Sequence, residues 1–362
     1  MDVTRRDLAL GAGAAIVGTI LAPGSPSLAA VPAPTAASSV AACGGPAVDP
    51  LSVVNPELLA WIKGGYPHGY TPPDPHPTLQ SMRPKPAPRP PLEGAREQIV
   101  PGFQGDPDVR LLVVGAPEAG ANRPAILHIH GGGYIAGTAD DAVESLRSLR
   151  NALDQPCLIV TVDYRLAPET KFPGALHDNF AGLKWLHDNA RSLGIDRDRI
   201  VIMGESAGGG HAAALALFAR DQGLAVKAQM LTYPALDDRT GSTRCVPAHI
   251  GALMWTPPQN RFGWTALLGV PAGSDKVPDG AVPARARSLA GLPDTFIAVG
   301  SIDLFVQEDI DYARRLVEAA VPTELLVLPG AYHGFDQAVP TAAVSHEYRA
   351  ALVAAINRAF SS

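Results

Sequence analysis

Short runs of apolar, often β-branched residues recur along this chain and alternate with segments whose apolar residues are spaced every three or four positions. Such short runs are typical of strands buried on both faces of a sheet, and the wider spacing is typical of helices. The pattern predicts seven strands, at residues 109–114, 125–130, 157–162, 199–203, 228–233, 295–299 and 324–328. It predicts helices at residues 56–62, 175–190, 207–220, 308–320 and 342–359. This alternation predicts an α/β fold with a mostly parallel central sheet flanked by helices.

Two segments interrupt the alternation. Residues 67–91 contain ten prolines, and we expect no regular structure there because proline lacks the N–H that helices and sheets need. Residues 241–286 are rich in tryptophan and proline, and we interpret them as a small cap inserted between two strands of the sheet.

The first 29 residues have the organisation of an export signal. Arg5-Arg6 precedes an uncharged stretch from residue 8 to 22, and the small residues Ser27 and Ala29 follow. The stretch is shorter than the roughly 20 apolar residues of a membrane span, and the arginine pair resembles a twin-arginine signal. A general secretory signal or an uncleaved anchor is the alternative. We predict an exported protein, periplasmic or secreted, with no stable membrane span after cleavage.

The three cysteines, Cys43, Cys157 and Cys245, allow at most one disulfide. Residues 40–43 resemble a lipoprotein cleavage box, but they lie about twenty residues beyond the apolar stretch, so we do not expect lipid at Cys43. Cys157 falls in a predicted core strand and is expected to be a buried thiol. Pairing of Cys43 with Cys245 is left open.

Composition excludes several classes of protein. The net charge is −6, which argues against nucleic acid as a partner because phosphate binding needs clustered cations. The 36 glycines and 35 prolines show no collagen-like period, and the sequence contains neither a phosphate-binding loop nor a dinucleotide motif. We therefore expect a small-molecule substrate and no cofactor, and the oligomeric state stays open.

The segment Gly204-Glu205-Ser206-Ala207-Gly208 follows a predicted strand and opens a predicted helix. This is the context of a nucleophile elbow, in which a sharp turn presents the serine hydroxyl above the sheet. Ser206 is therefore the candidate nucleophile. The glycines on either side leave room for the neighbouring strand and helix.

An upstream glycine run also follows a predicted strand, in His130-Gly131-Gly132-Gly133. Consecutive glycines allow backbone N–H groups to point into a pocket, where they and the N–H of Ala207 can stabilise an oxyanion. His130, Gly131 and Glu205 are expected to support this arrangement.

An acid and a base should follow the nucleophile in that order. Asp303 and His333 each lie on a loop at the carboxyl end of a predicted strand, where open α/β sheets build their sites. Glu308 and Asp309 compete as the acid but fall inside the next predicted helix. His249 and His346 compete as the base but do not follow a strand.

These motifs together resemble the hormone-sensitive-lipase-like family of bacterial esterases (family IV), which has the α/β-hydrolase fold. The resemblance covers residues 95 to the end and rests on five segments: His130–Gly133, Asp163–Glu169, Gly204–Gly209, Tyr233–Arg239 and Tyr332–Phe335. It implies that Gly132, Gly133 and Ala207 form the oxyanion hole and that short- to medium-chain esters are substrates. Glu205 stands where the family more often has aspartate.

Three other groups of residues have competing interpretations. We expect Asp163, Arg165 and Glu169 to support the site through salt bridges. His128 and His130 share a strand face, but no third ligand is evident, so we expect no metal site. The aromatic residues of the predicted cap, Trp255, Phe262 and Trp264, either line an acyl pocket or pack the cap.

The sequence therefore divides into an export signal at 1–29, a disordered tether and Pro-rich N-terminal or cap segment at 30–94, and a catalytic domain at 95–362. The predicted function is a serine carboxylic-ester hydrolase that acts through an acyl-enzyme. A lipase or amidase on the same fold, or a non-catalytic ligand-binding homologue, is the alternative.

Overall fold

A computed structural model describes residues 48–64, 73–83, 92–116 and 121–361 of the chain. Within them, one eight-stranded sheet has the order β1-β2-β4-β3-β5-β6-β7-β8. Its strands are β1 (Ala95–Val100), β2 (Val109–Val114), β3 (Arg123–Ile129), β4 (Leu158–Asp163), β5 (Ile195–Glu205), β6 (Ala228–Thr232), β7 (Asp294–Gly300) and β8 (Thr323–Leu328). Strand β2 runs opposite to the other seven strands, so the mostly parallel α/β sheet predicted from the pattern is confirmed.

The helices lie between these strands and beyond them. They are α1 (Pro56–Gly64), α2 (Leu79–Met82), α3 (Ala139–Ala152), α4 (Gly174–Asp188), α5 (Ala190–Leu193), α6 (Ala207–Asp221), α7 (Pro257–Leu268), α8 (Val306–Glu318), α9 (Phe335–Ala338) and α10 (Ala343–Ser361). Two large apolar clusters cover the sheet, one with α4, α6 and α8 and the other with α1, α3 and α10. The strands are apolar without alternation because helices bury both of their faces.

Several elements differ from the sequence-based predictions. Strand β1 was not predicted because three of its six residues, Arg96, Glu97 and Gln98, are polar or charged and the strand is only partly buried. Helix α2 contradicts the expectation of no regular structure in residues 67–91, since residues 78–83 contain no proline and Thr78 caps the helix. Helix α7 occupies the predicted cap insertion, with its two prolines in the first turn, where a missing N–H costs no hydrogen bond.

The described part of the chain contains no helix that is both long and apolar enough to cross a bilayer. The predicted export signal and Cys43 lie outside the described residues. Cys157 is a free, fully buried thiol, as predicted, and burial raises its pKa to about 11. Cys245 is disulfide-bonded.

Candidate active site

Ser206 occupies a sharp turn between β5 and α6. Its backbone has φ +58° and ψ −123°, a conformation that residues with a side chain rarely adopt. The turn is held by the Ser206 N–H, which donates to the Thr232 carbonyl at 2.9 Å, and by the Ser206 carbonyl, which accepts from Gly210 and Ala235 at 3.0 Å each. This geometry is that of the predicted elbow.

Both flanking glycines lie where a side chain does not fit. A Cβ on Gly204 would lie 2.3 Å from the Gly208 carbonyl oxygen, and one on Gly208 would lie 2.0 Å from the Ile129 carbonyl oxygen. The turn therefore packs backbone against backbone, and it places the N-terminus of α6 directly beneath the serine.

Ser206, His333 and Asp303 form a continuous chain of hydrogen bonds. Ser206 Oγ lies 2.8 Å from His333 Nε2, and His333 Nδ1 lies 2.8 Å from Asp303 Oδ2. Asp303 is fully buried, and its other carboxylate oxygen accepts from the Phe305 N–H at 2.9 Å. These residues follow β5, β8 and β7, so three parallel strands bring them to one edge of the sheet.

Three aromatic rings hold the His333 imidazole in place. Tyr233 and Phe305 meet it edge-on, with centroid distances of 4.7 and 5.2 Å, and Trp255 lies tilted against it at 6.2 Å. The imidazole can therefore keep one orientation while its two nitrogens contact Ser206 and Asp303.

The glycine run after β3 lies beside the elbow. Gly132 and Gly133 have φ values of +121° and +60°, and the Gly133 Cα faces the Trp255 ring so closely that a Cβ would lie 2.3 Å from it. Among the described residues, the backbone N–H groups of Gly132, Gly133 and Ala207 donate no intramolecular hydrogen bond. Three free donors beside the candidate nucleophile, Ser206, are what an oxyanion hole requires.

Glu205 links the elbow to the glycine run. One of its carboxylate oxygens lies 2.9 Å from His128 Nε2, and the other accepts from the Gly131 N–H at 3.2 Å. Burial opposes ionisation of this carboxyl, but His128 and the Gly131 N–H outweigh it and hold the Glu205 pKa below its usual value. His128 Nδ1 contacts the Thr161 hydroxyl at 3.0 Å.

His130 is buried behind the glycine run. Its ring stacks on Tyr164 with a centroid distance of 4.2 Å, and its Nδ1 lies 2.8 Å from the Gly131 carbonyl oxygen. Burial lowers the His130 pKa, which favours the neutral imidazole. Within the described ranges, no group of three or more His, Cys, Asp or Glu side chains could hold a metal ion.

The charged residues of the Asp163–Glu169 segment form ion pairs away from Ser206. Asp163 pairs with Arg110 at 3.1 Å, and Arg165 pairs with Asp178 at 2.7 Å. Glu169 accepts from Arg83 at 2.9 Å, a partner that the sequence reasoning did not identify.

Within the described residues, none of the competing acids and bases (Glu308, Asp309, His249 and His346) forms a hydrogen bond with Ser206, Asp303 or His333. The Glu308 carboxylate accepts from the Leu236 and Asp237 N–H groups at 2.6 and 3.0 Å. Asp309 is fully buried in α8, and its pKa is raised by burial and by the charges of Glu308 and Asp303. His346 lies exposed on α10.

The cap aromatics divide between packing and the site. Trp264 is buried and lies 4.8 Å from Tyr134, centroid to centroid. Trp255 lies between Gly133 and His333, and its indole N–H donates to Asn260 at 3.3 Å. Phe262 is partly buried against the same apolar cluster as Trp264. The sequence could not separate these roles because all three residues share one segment.

A cavity of about 320 Å³ opens beside His333 and Trp255. A larger cavity, of about 420 Å³, lies around Asn122, Arg191 and Asp196. These residues lie near the beginnings of β3 and β5, at the sheet edge opposite Ser206. Of these two cavities, only the smaller one is lined by a member of the Ser206–His333–Asp303 hydrogen-bonded group, namely His333.

Comparison with known families identifies the fold. A family model described as alpha/beta hydrolase fold matches residues 126–337. The matched segment begins inside β3 and ends in α9, so it contains the nucleophile turn, the glycine run, Asp303 and His333.

Several individual relatives are esterases, although a gibberellin receptor of Arabidopsis thaliana is also similar, at 29% identity over 233 residues, covering 62% of this chain and 66% of that one. The chain is 33% identical over 257 residues to the carboxylesterase NlhH of Mycobacterium tuberculosis, covering 68% of this chain and 78% of that one. It is 32% identical over 232 residues to an arylesterase of Saccharolobus solfataricus, covering 61% of this chain and 71% of that one. The solved structure of a bacterial heroin esterase is 38% identical and superposes with a TM-score of 0.69, covering 75% of this chain and 86% of that one.

Proposed function

The chain belongs to the hormone-sensitive-lipase-like esterases of the alpha/beta hydrolase fold, and we propose that it cleaves carboxylic esters by a serine mechanism. It is an ester hydrolase by its similarity to carboxylesterases and arylesterases. One observation carries the serine mechanism: two successive 2.8 Å contacts join Ser206 to His333 and His333 to Asp303.

In the acylation half of the proposed reaction, Ser206 Oγ attacks the ester carbonyl carbon while His333 Nε2 accepts the hydroxyl proton. The carbonyl oxygen becomes an oxyanion and accepts hydrogen bonds from the N–H groups of Gly132, Gly133 and Ala207. Asp303 accepts from His333 Nδ1–H, which fixes the tautomer and stabilises the imidazolium. The bond to the alcohol oxygen then breaks, and that oxygen takes the proton from Nε2.

In the second half, a water molecule attacks the acyl carbon and gives its proton to His333 Nε2. The tetrahedral intermediate again uses the three backbone donors. Its collapse returns the proton to Ser206 Oγ and releases the carboxylic acid, so no cofactor is needed. The resemblance to the family supports short- to medium-chain acyl groups as substrates.

A Ser206→Ala variant tests the mechanism. We expect it to keep the fold, measured by circular dichroism, and to lose hydrolysis of p-nitrophenyl esters by several orders of magnitude. A fluorophosphonate should label the native chain and not the variant. A variant that still turned over esters would refute the role of Ser206.

A series of p-nitrophenyl esters of increasing acyl length, run beside a peptide amide, separates the alternatives. Preference for long chains would indicate a lipase, and activity on the amide alone would indicate an amidase. Absence of both turnover and labelling would indicate a ligand-binding homologue.

Export is the second part of the proposal. Its support is the arginine pair with the uncharged stretch behind it, together with the disulfide at Cys245, because disulfides persist in oxidising compartments. Replacing Arg5 and Arg6 by lysine should keep the full chain inside the cell if the twin-arginine route is used. Unchanged export would favour the general secretory route.

A further inference from the structure

The cavity beside His333 has walls from three distant parts of the chain. Trp61 comes from α1, before the sheet, and Met254 and Trp255 come from the segment between β6 and β7. His333 and Gln337 complete much of the lining. The volume of about 320 Å³ lies at the lower end of the range for small-molecule sites.

The position of the cavity identifies which half of an ester it faces. In the proposed mechanism, His333 delivers a proton to the departing alcohol oxygen, so the alcohol group must lie on the His333 side of Ser206. The cavity lining includes His333 and Gly334, but neither Ser206 nor Gly132, Gly133 or Ala207. The cavity therefore faces the alcohol half rather than the acyl half.

The lining chemistry favours a flat, neutral group. Two indoles, a thioether and the Ala338 methyl make most of the surface, and Gln337 adds one neutral amide. No Asp, Glu, Lys or Arg is among the residues that line it, so a charged alcohol would lose its hydration without an opposite charge to replace it. Indole faces and a methionine sulfur both interact favourably with aromatic rings.

The size fits one ring. An apolar protein cavity of roughly 150 Å³ holds benzene, so about 320 Å³ is large enough for a substituted ring.

Both tryptophan walls are held in position by the surrounding structure. Trp255 donates to Asn260 at 3.3 Å and lies against Gly133. Helix α1 is anchored by the fully buried Leu58 and by Glu57, which accepts from the Ala343 N–H at 2.9 Å. The Trp61 ring packs on Tyr332 at a centroid distance of 6.1 Å. A prebuilt site loses less entropy on binding than one that must be assembled.

We propose that this cavity binds the alcohol portion of the substrate and selects aromatic alcohols, with Trp61 as a specificity-determining residue. The proposal rests on the serine esterase mechanism, since only that mechanism makes the His333 side the leaving-group side.

Three esters test the assignment: ethyl acetate, benzyl acetate and ethyl phenylacetate. Benzyl acetate carries a ring on the alcohol side, and ethyl phenylacetate carries the ring on the acyl side. Trp61→Ala should lower kcat/KM for benzyl acetate about tenfold or more, because loss of apolar contacts in a pocket costs at least that factor. The values for ethyl acetate and ethyl phenylacetate should stay close to those of the native enzyme.

Leu59→Ala is the matched control, since Leu59 is a partly buried apolar residue of the same helix that does not line the cavity. It should leave the ratio of benzyl acetate to ethyl acetate unchanged. Inhibition by benzyl alcohol should weaken in Trp61→Ala and not in Leu59→Ala, which reports binding independently of turnover.

Two outcomes would overturn the proposal. A selective loss of ethyl phenylacetate hydrolysis in Trp61→Ala would make the cavity an acyl pocket. Parallel losses for all three esters would make Trp61 a structural residue only. Failure of the serine mechanism is seen separately, as hydrolysis of all three esters by Ser206→Ala.

Discussion

Glu205 Oε2 lies 2.9 Å from His128 Nε2, so the residue directly before the candidate nucleophile contacts a buried histidine of the neighbouring strand. The other Glu205 oxygen accepts from the Gly131 N–H. One side chain thus connects β3, the glycine run and the nucleophile turn, and it fixes their spacing without touching the reacting atoms.

Glu205→Gln should therefore lower kcat while leaving KM nearly unchanged. The neutral amide is a weaker acceptor for Gly131 and His128, and displaced oxyanion donors act on the transition state more than on bound substrate. Because loss of a whole donor costs about 10²–10³ in rate, we expect a smaller loss, of about tenfold. Steady-state kinetics with one p-nitrophenyl ester measure the split.

Glu97→Gln serves as the control for this substitution. Glu97 is a more exposed glutamate that pairs with Arg110 on β2, away from the nucleophile turn, so it should leave both constants unchanged. A rise in KM alone for Glu205→Gln would contradict the role given to Glu205.

The same carboxylate should give the protein an acid-sensitive stability. The folded-state pKa of Glu205 is lowered, so its stabilising contribution is complete above the unfolded pKa of about 4.3 and is lost as pH falls through the folded pKa. The melting temperature of the native chain should fall more steeply below about pH 4.3 than that of Glu205→Gln, which cannot titrate there. Equal slopes for the two proteins would count against the stabilising role given to the Glu205 carboxylate.

Gly133→Ala should abolish most activity. The added methyl would lie 2.3 Å from the Trp255 ring, and the residue has φ +60°, so the glycine run must move. We expect a loss of about a hundredfold in kcat, comparable to removal of an oxyanion donor. Gly223→Ala has a similar φ of +68° with no atom near its Cβ, and it should show only the cost of the backbone conformation. Equal activity losses in the two variants would refute the steric argument.

Asp309→Asn should stabilise the protein at alkaline pH. The Asp309 pKa is raised by burial and by Glu308 and Asp303, whereas an unfolded aspartate titrates near about 3.9. Between those two pKa values the folded state binds more protons than the unfolded state, so native stability declines as pH rises. Asparagine does not ionise, so the variant should melt higher than the native chain at pH 8, by a margin that shrinks towards pH 4.

The half-exposed Asp311 of the same helix, which pairs with Arg244, provides the comparison. Asp311→Asn should give no stabilisation at pH 8. A margin for Asp309→Asn that was the same at pH 4 and pH 8 would show that ionisation of Asp309 is not its cause.

Arg83→Lys should weaken the contacts that hold α2 against Ile135 and Ala167. Arg83 donates to the Ile135 and Ala167 carbonyl oxygens at 2.5 and 2.6 Å and also pairs with Glu169. Lysine cannot reproduce this planar set of donors. Amide hydrogen exchange in residues 78–83 should accelerate, although the melting temperature should change little because the ion pair is partly exposed.

A double-mutant cycle with Glu169→Gln separates the ion pair from the two carbonyl contacts. If the carbonyl contacts dominate, Arg83→Lys should accelerate exchange further in the Glu169→Gln background. If Glu169→Gln alone accelerates exchange as much as the double variant does, the whole effect belongs to the Arg83–Glu169 ion pair.

The sequence predicted the sheet because its strands are buried on both faces and therefore carry continuous apolar runs. Strand β1 was not predicted because it lies at the sheet edge, where its polar residues stay exposed and break the apolar pattern. Helix α3 was not predicted, although its apolar residues at 139, 142, 143 and 146 have helical spacing and Thr138 can cap its first turn. The prolines of α7 suggested a loop although the first turn of a helix accepts them.

Ser206, Asp303 and His333 could be selected because each lies on the turn or loop at the carboxyl end of a strand, and parallel strands end at one edge. Trp61 and Arg83 could not be found in this way. Trp61 lines the cavity beside His333, and Arg83 donates to the Ile135 carbonyl oxygen. Each of these contacts joins segments 52 or more residues apart, and neither residue belongs to a motif. The catalytic roles and the division of the chain into signal, tether and catalytic domain stay predictions.

The family match begins at residue 126, whereas Trp61, Arg83 and strands β1 and β2 all precede it. Substitutions before residue 126 can therefore change which alcohols enter the cavity while the nucleophile turn and its hydrogen bonds stay intact. For protein engineering, exchange of residues 48–64 between relatives is a route to altered leaving-group preference at constant catalytic chemistry. Conversely, a fragment trimmed to the matched segment would lose β2, leave an edge of β4 unpaired and be prone to aggregate.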